Sequence, residues 1–216
     1  MEMEISVIIS TYNSEEWLQK VLWGYKMQSF RKFELVIADD GSREDTRRLV
    51  EAFGKEAPFP VVHVWQEDEG FQKSKILNKA VLACTSPYII MSDGDCIPRA
   101  DFVEAHYRNR EKGRFLSGGY FKLPMDISRE ITKEDIERQN CFSLPWLLER
   151  GLKKSFKNNK LKAKGLKERI LNTFTPTKPT WNGHNASGWK ADIVRANGFD
   201  ERMQYGGQDR ELGERL

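Results

Sequence analysis

Ile5-Ser-Val-Ile-Ile-Ser10 runs directly into Thr11-Tyr12-Asn13. A short run of apolar, β-branched residues that breaks into polar turn chemistry reads as a buried strand. Three more such runs occur, at Phe33–Ala38, Val61–Trp65 and Tyr88–Ser92. Helical patterns fill the gaps. Ser14–Met27 sets Trp17, Val21, Leu22 and Tyr25 at helical spacing, with Asn13 and Glu16 as the expected capping pair. Glu44–Phe53 and Ser74–Ala83 supply a second and a third helix, the latter with Ile76, Leu77, Ala80 and Val81 on its apolar side. Strands alternating with helices of this length predict right-handed crossovers and a mostly parallel sheet flanked by helices, a Rossmann-like α/β fold.

The second half changes character. Asp101–Arg110 and Thr132–Arg150 read as helices, Arg114–Phe121 as a strand, and Thr175-Pro-Thr-Lys-Pro179 as an extended connector. Trp181–Gly188 is a Gly- and Asn-rich loop or short strand, and Lys190–Ala196 is a short helix stopped by Asn197-Gly198. With 216 residues, 39% of them hydrophobic, the chain can bury one sizeable core, so a single compact domain is expected. Within it, residues 1–98 form one half and residues 99–216 the other. The sequence ends at Leu216, seven residues past Asp209, and is read as a piece truncated at its carboxyl terminus.

Composition removes several functions. A net charge of +3 is too weak for a nucleic-acid binder whose affinity rests on many phosphate contacts, so no nucleic-acid partner is expected. No apolar run approaches the roughly 18 to 20 residues of a membrane span. Met1-Glu2-Met3-Glu4 is acidic where an export signal would be basic. Cys84, Cys96 and Cys141 are odd in number and lack metal-binding spacing, which fits a reducing cytoplasm. The stretch 153–169 carries seven lysines and Arg169 against Glu168 alone, interleaved with Leu152, Phe156, Leu161, Leu166 and Ile170. It reads as a solvated face, or as a peripheral contact with an anionic membrane at the inner face.

Polar signatures come after each of the four strands: Thr11-Tyr12-Asn13, Asp39-Asp40-Gly41-Ser42, Glu67-Asp68-Glu69-Gly70 and Asp93-Gly94-Asp95. In an open parallel sheet these lie at the carboxyl ends, where ligands bind. Any one alone is ordinary turn chemistry. No GxGxxG succeeds the first strand and no GxxxxGK[ST] occurs; Gly70-Phe-Gln-Lys73-Ser74 only mimics the tail of a P-loop. Carboxylates alone repel a diphosphate, but Asp93 and Asp95 are hard oxygen ligands for Mg²⁺ or Mn²⁺, which can bridge to phosphates. Tyr12 can contact a base, and Asp39 or Asp40 can accept from ring N–H or ribose hydroxyls. A nucleoside diphosphate with a metal is the physical reading. The bland reading makes Asp93 and Asp95 turn caps.

Ser6-Val-Ile-Ile-Ser-Thr-Tyr-Asn13, Asp39-Asp-Gly-Ser42 and Ser92-Asp-Gly-Asp95 together resemble the inverting family 2 glycosyltransferases of the GT-A fold. Trp181-Asn-Gly-His-Asn-Ala-Ser-Gly188, Asn197-Gly-Phe-Asp200 and Tyr205-Gly-Gly-Gln-Asp-Arg-Glu211 resemble the carboxyl-terminal motif of galactosyltransferases and chondroitin-polymerase-type enzymes. The resemblance covers nearly the whole chain. It implies that Thr11, Tyr12, Asn13, Asp39 and Asp40 line the base and ribose pocket, with Asp93 beside the ribose. Gly70, Phe71 and Asn78 would line the donor side, where Gln72 stands in place of a frequent Arg. Asp95, with Asp93, would hold the metal, and His184 is a further candidate ligand beside the reading as an ordinary loop histidine. The family's third ligand more often comes after the base motif, beyond Leu216. Asp209 falls at the catalytic base, while Gln208 replaces a Glu that often contacts the acceptor.

The resemblance further implies transfer of a hexose (Gal, GalNAc, Glc or GlcNAc) from a UDP-sugar to a saccharide or lipid-linked saccharide acceptor, with inversion, in surface polysaccharide synthesis. Residues 1–98 would be the donor half and 99–216 the acceptor half. Gly206 and Gly207 favour close approach of a ligand to the backbone. Trp181 is either a sugar-stacking wall or a core plug. Asp209 could instead pair with Arg210 or Arg215 on a surface helix. The enzyme alternative is a sugar-1-phosphate nucleotidyltransferase, although Thr11-Tyr12-Asn13 lacks the Gly-rich, Arg-containing loop it needs. The non-enzyme alternative is an impaired nucleotide-sugar-binding module.

Overall fold

A computed structural model of the chain describes residues 3–155, 158 and 180–216. Residues up to 119 and from 180 onward form one unit, and residues 120–179 form a second. The first unit starts with the expected alternation: β1 (Ile5–Thr11), α1 (Glu15–Lys26), β2 (Phe33–Asp39), α2 (Glu44–Glu56), β3 (Val61–Trp65), α3 (Lys73–Ala83) and β4 (Tyr88–Asp93). It continues through α4 (Phe102–Asn109) and β5 (Leu116–Ser117). The second unit carries α5 (Met125–Glu130), α6 (Lys133–Glu137), a 3₁₀ turn at Asn140–Phe142 and α7 (Leu144–Glu149). The chain then re-enters the first unit with β6 (Asn185–Trp189), α8 (Lys190–Arg195) and α9 (Gln208–Arg215).

The sheet order is β3-β2-β1-β4-β6-β5. β1 pairs in parallel with β2 and β4, and β2 with β3, whereas β6 runs antiparallel to both β4 and β5. Strand alternation sorts the core onto two faces. Val7, Ile9, Leu35, Ile37 and Ile90 pack with Leu18, Val21, Leu22 and Tyr25 of α1. Ile8, Val36, Ala38, Ile89 and Met91 pack with Ile76, Leu77, Ala80 and Val81 of α3 and with Trp181, Ile193, Phe199 and Leu212. Each fully buried aliphatic side chain contributes roughly 1.5 to 3 kcal/mol. The chain leaves β1 toward β2 on one side and meets β4 on the other, so the strand order reverses between β1 and β4. A crevice opens at the carboxyl ends of strands that part in this way.

Several local expectations need correction. Asn13 does not cap α1: it sits at φ 43°, its Oδ1 accepts from the Arg43 N–H, and Ser14 takes the N-cap position without a side-chain bond. Thr132–Arg150 is broken rather than continuous. Gln139 is left-handed at φ 59°, and Pro145 has no N–H to give and crowds the carbonyl four residues back. Thr132 instead caps the short α6 through a reciprocal pair with Asp135. Of Arg114–Phe121 only Leu116–Ser117 pairs as strand. A Cβ at Gly118 would lie 2.4 Å from the Asn185 amide, so the strand ends where that side chain crosses. The Thr175–Pro179 connector lies outside the described residues, as does most of the basic stretch 153–169. Among the described residues no helix is long and apolar enough to cross a membrane.

A buried polar chain locks β6 in place. Asn185 Nδ2 donates to the Gly119 carbonyl at 2.9 Å, which leaves its Oδ1 to accept from His106 Nε2 at 3.0 Å. His106 Nδ1 must then accept from the Ser187 hydroxyl at 2.7 Å, which in turn accepts from the Tyr88 hydroxyl at 2.8 Å. Burial lowers the His106 pKa from 6.5 to about 4, more than its bond to Asn185 raises it. A histidine depressed by folding gives stability that is complete above pH 6.5 and lost as pH falls toward 4, about 3 kcal/mol in all. Denaturant titrations of wild type and His106→Gln at pH 7 and pH 4 should show the variant losing about 3 kcal/mol less over that interval. Equal losses in the two proteins contradict the assignment.

Candidate active site

The loops at the carboxyl ends of β1, β2 and β3 are tied into one rim. Tyr12 donates its hydroxyl to Asp68 Oδ2 at 2.9 Å, and the Asn13 N–H donates to Ser42 Oγ at 2.8 Å. Asp40 accepts from Gln66 Nε2 at 2.6 Å and from the Gln72 N–H at 2.8 Å. Gly41 has φ 93°, and a Cβ there would lie 2.6 Å from the Asp68 backbone. Three of the four polar signatures thus converge as the sequence implies. Tyr12, Trp65 and Phe71 are aromatic side chains this rim leaves exposed, and Phe71 packs edge-on against the exposed Tyr205 at 5.2 Å.

Asp39 and Asp40 are largely spent on the fold. Asp39 is fully buried; its Oδ1 takes the Ser42 N–H and its Oδ2 meets His63 Nε2 at 2.8 Å. Burial raises the Asp40 pKa, more than its bonds to Gln72 and Gln66 lower it. Thr11 is buried, and its Oγ1 has no hydrogen-bond partner among the described residues. Asn78 is a strap. Its Nδ2 donates to the Phe199 carbonyl and to Glu201, and its Oδ1 accepts from the Phe199 N–H. It therefore holds Asn197-Gly-Phe-Asp200.

The charged centre sits where the strand order reverses. Ser10 at the end of β1 donates to Asp93 Oδ1 at 2.7 Å, joining β1 to β4. Lys73, the first residue of α3, donates to the same oxygen at 2.7 Å. Burial pushes the Asp93 pKa up, but Lys73 and Ser10 outweigh it and the net shift is downward. Lys73 is raised in spite of burial by Asp93 first, then by Asp209 and Asp95. One ammonium therefore faces three carboxylates. Asp95 is exposed and, among the described residues, hydrogen-bonds only with the Cys96 thiol at 3.4 Å.

Asp209 reaches this centre from α9. The antiparallel register pairs Ser92 with Asn185, which brings Gly183 and His184 beside the end of β4. Gly183 donates its backbone N–H to Asp209, and a Cβ at that position would lie 2.8 Å from Oδ1. A side chain there would force the Asp209 carboxylate to move. The Asp209 pKa is raised by burial, more than Lys73 and the Gly183 N–H lower it, and Asp93 adds to the rise. Its Oδ1 is buried with no hydrogen-bond partner among the described residues. The surface-pair alternative is removed, because Arg210 pairs with Glu214 and Arg215 with Glu211. Arg215 also donates to the Ala196 and Gly198 carbonyls, and Gly213 packs on the Trp181 backbone, so α9 is anchored at its far end.

Trp181 is a core residue, 1% exposed and packed against Phe115, so it offers no face to a sugar. Gln208 is buried beside Asp209 with Oε1 unpartnered among the described residues, and Gly207, at φ 82°, lets the chain enter α9. Sequence reasoning does not single out Lys73 or Gly183 as site residues. The signal for Lys73 is its place at the first turn of a helix that comes after a strand's carboxyl end. A groove of about 710 Å³ lies apart from these carboxylates, along Val81, Leu82, Val194, Phe199 and Arg202.

Among the described residues no three His, Cys, Asp or Glu side chains already converge as metal ligands. That does not disqualify a metal here. Mg²⁺-type ions are commonly held by one or two carboxylates plus water and substrate phosphates. An exposed Asp95 beside Asp93, in a cluster whose negative charge exceeds its positive, fits an ion shared with a diphosphate.

Residues 6–167 match the family described as Glycosyl transferase family 2. The chain is 27% identical to the chondroitin synthase of Escherichia coli over 98% of its own length and 32% of that protein. It spans 32%, 35% and 47% of the first three curated relatives it matches. Its fold is similar to that of the Pyrobaculum calidifontis mannosyltransferase PcManGT in complex with GDP-Man and Mn²⁺ (TM-score 0.64, 19% identity, 98% of this chain and 51% of that one). It is also similar to that of S. aureus TarS 1–349 in complex with UDP-GlcNAc (TM-score 0.58, 18% identity, 99% and 53%). The fold is thus GT-A. A mostly parallel sheet with its carboxylates gathered at the strand reversal, and a family match running over most of the chain, have one meaning: the chain belongs to glycosyl transferase family 2.

Proposed function

We propose that the chain transfers a hexose from a UDP-sugar to a saccharide or lipid-linked saccharide acceptor with inversion, Asp209 acting as the base, in surface polysaccharide synthesis. The observation that carries this is the Asp209 carboxylate, held by Gly183 beside Asp93 and Lys73 with Oδ1 unpartnered among the described residues. A buried carboxylate with a raised pKa is a better proton acceptor than a solvated one. An acceptor hydroxyl bonded to the Asp209 carboxylate would give up its proton there as its oxygen attacks the anomeric carbon, opposite the departing diphosphate. Tyr12, with Thr11, Asn13 and Asp40, would hold the base and ribose, and Gly70 and Phe71 the sugar side.

Asp95, with Asp93, would hold a Mn²⁺ or Mg²⁺ ion, and His184 stands close enough to both Asp93 and Asp209 to influence each. When bound, that ion supplies positive charge to the departing diphosphate. Residues to Pro98 handle the donor and those after it the acceptor, with Gln208 and Gly207 nearest the acceptor. Orientation matters as much as charge, since held reactants gain up to roughly 7 to 11 kcal/mol over free ones. The nucleotide sugars bound by two proteins of similar fold, GDP-Man in PcManGT and UDP-GlcNAc in TarS, support the donor class.

Incubation with UDP-Gal, UDP-GalNAc, UDP-Glc and UDP-GlcNAc, Mn²⁺ and a panel of saccharides tests the reading. Release of UDP with a glycosylated product of inverted configuration is expected. Pyrophosphate from a sugar phosphate and UTP would mark a nucleotidyltransferase, and binding without turnover a module that only holds the donor.

A further inference from the structure

Lys73 has no assigned task in donor handling or proton transfer, yet it stands at the centre of the acidic cluster. Its Nζ is 2.7 Å from Asp93 Oδ1, its side chain is 20% exposed, and Asp209 and Asp95 are the next charges it feels. Ser10 donates to the same Asp93 oxygen, so that atom accepts from two donors at once. Two cations near one carboxylate repel each other, and in a half-buried site the repulsion is not screened away. A divalent ion joining Asp93 and Asp95 is left the other Asp93 oxygen and must approach against the charge of the Lys73 ammonium, which weakens its binding.

We propose that Lys73 is a resident counter-cation that keeps the metal site closed until a nucleoside diphosphate arrives. The inference rests on the donor reading above. Without a donor, the ammonium neutralises Asp93 and the metal binds weakly. A diphosphate brings negative charge that offers the flexible Lys73 side chain a second partner, and its movement frees Asp93. Metal and donor thus bind together rather than in sequence. Lysine suits this task because its point charge sits on a four-carbon stem with rotatable bonds. It stands at the first residue of α3, outside the core cluster that holds Ile76 and Leu77.

Mn²⁺ titration of the donor-free protein, monitored by the paramagnetic resonance signal of free Mn²⁺, tests it. Lys73→Met should bind Mn²⁺ at least about tenfold more tightly than wild type, because one repelling charge is gone. Lys73→Arg, which keeps the cation, should stay weak. Melting curves establish that both variants are folded. With UDP present, the wild type should gain Mn²⁺ affinity and the advantage of Lys73→Met should shrink. Unchanged or weaker Mn²⁺ binding by folded Lys73→Met in the donor-free arm overturns the proposal, as does failure of every protein to bind Mn²⁺. The UDP arm separates the two readings: a wild type that binds UDP with Mn²⁺ keeps the donor reading standing whatever Lys73→Met does, and one that binds no UDP removes it.

Discussion

Asp209→Asn is expected to lower transfer by about 10²- to 10⁴-fold while leaving UDP affinity close to wild type. Asparagine keeps the shape, and its carbonyl oxygen can accept the Gly183 N–H that holds Asp209, so the loop before β6 need not move. What it loses is the ability to take a proton. The same variant makes a stability prediction of definite sign. Folding raises the Asp209 pKa above 3.8, mainly through burial. A carboxyl raised in this way favours the fold while protonated, and that contribution disappears as pH climbs through its folded pKa. Asparagine is neutral at every pH. Asp209→Asn should therefore match wild type in acid and melt at a higher temperature near neutral pH. In the wild type, kcat/KM should fall on the acid side at a pH above the 3.8 of an ordinary aspartate. Unchanged turnover in Asp209→Asn would remove this residue from the mechanism.

Asp95→Ala carries the second large effect. The side chain is exposed, makes no ion pair among the described residues, and succeeds the β4 turn that Gly94 closes against the Ser10 carbonyl. Its loss should cost the fold little, since exposed substitutions away from caps and core usually fall within about 0.5 kcal/mol. Its effect on UDP binding should be much larger. Removal even of groups that only support a metal ligand costs about 10- to 100-fold, so loss of the ligand itself should cost at least that in Mn²⁺-dependent UDP affinity. Binding without metal should stay as it is. Undiminished Mn²⁺ enhancement in a folded Asp95→Ala protein would place the metal elsewhere.

The parts of the molecule legible in sequence are those decided by local chemistry. Four β-branched runs ending in Asp, Asn or Gly specify parallel strands and the edge at which ligands gather, and the structure places them within a residue or so of the expected ends. The Asn197-Gly198 helix stop is formed by two successive left-handed residues. The parts that are not legible depend on partners distant in the chain. That Asn78 binds Phe199 and Glu201 through its amide is visible only in the structure. Trp181 reads equally as a sugar wall or a core plug until Gly213 and Phe115 are seen to close over it. Lys73 gains its meaning only from Asp93, twenty residues on, and from Asp209 across the α9 contact. Its neighbour Gln72 departs from a family pattern in sequence, while in the structure its backbone N–H braces Asp40.

Donor binding is the claim on which the rest depends. A calorimetric titration of the wild-type chain with UDP, GDP, dTDP and CMP, each with and without Mn²⁺, tests it most directly. UDP is expected to bind with an affinity that rises when Mn²⁺ is present, and the other nucleotides more weakly. No binding of any nucleotide in either condition would contradict the account.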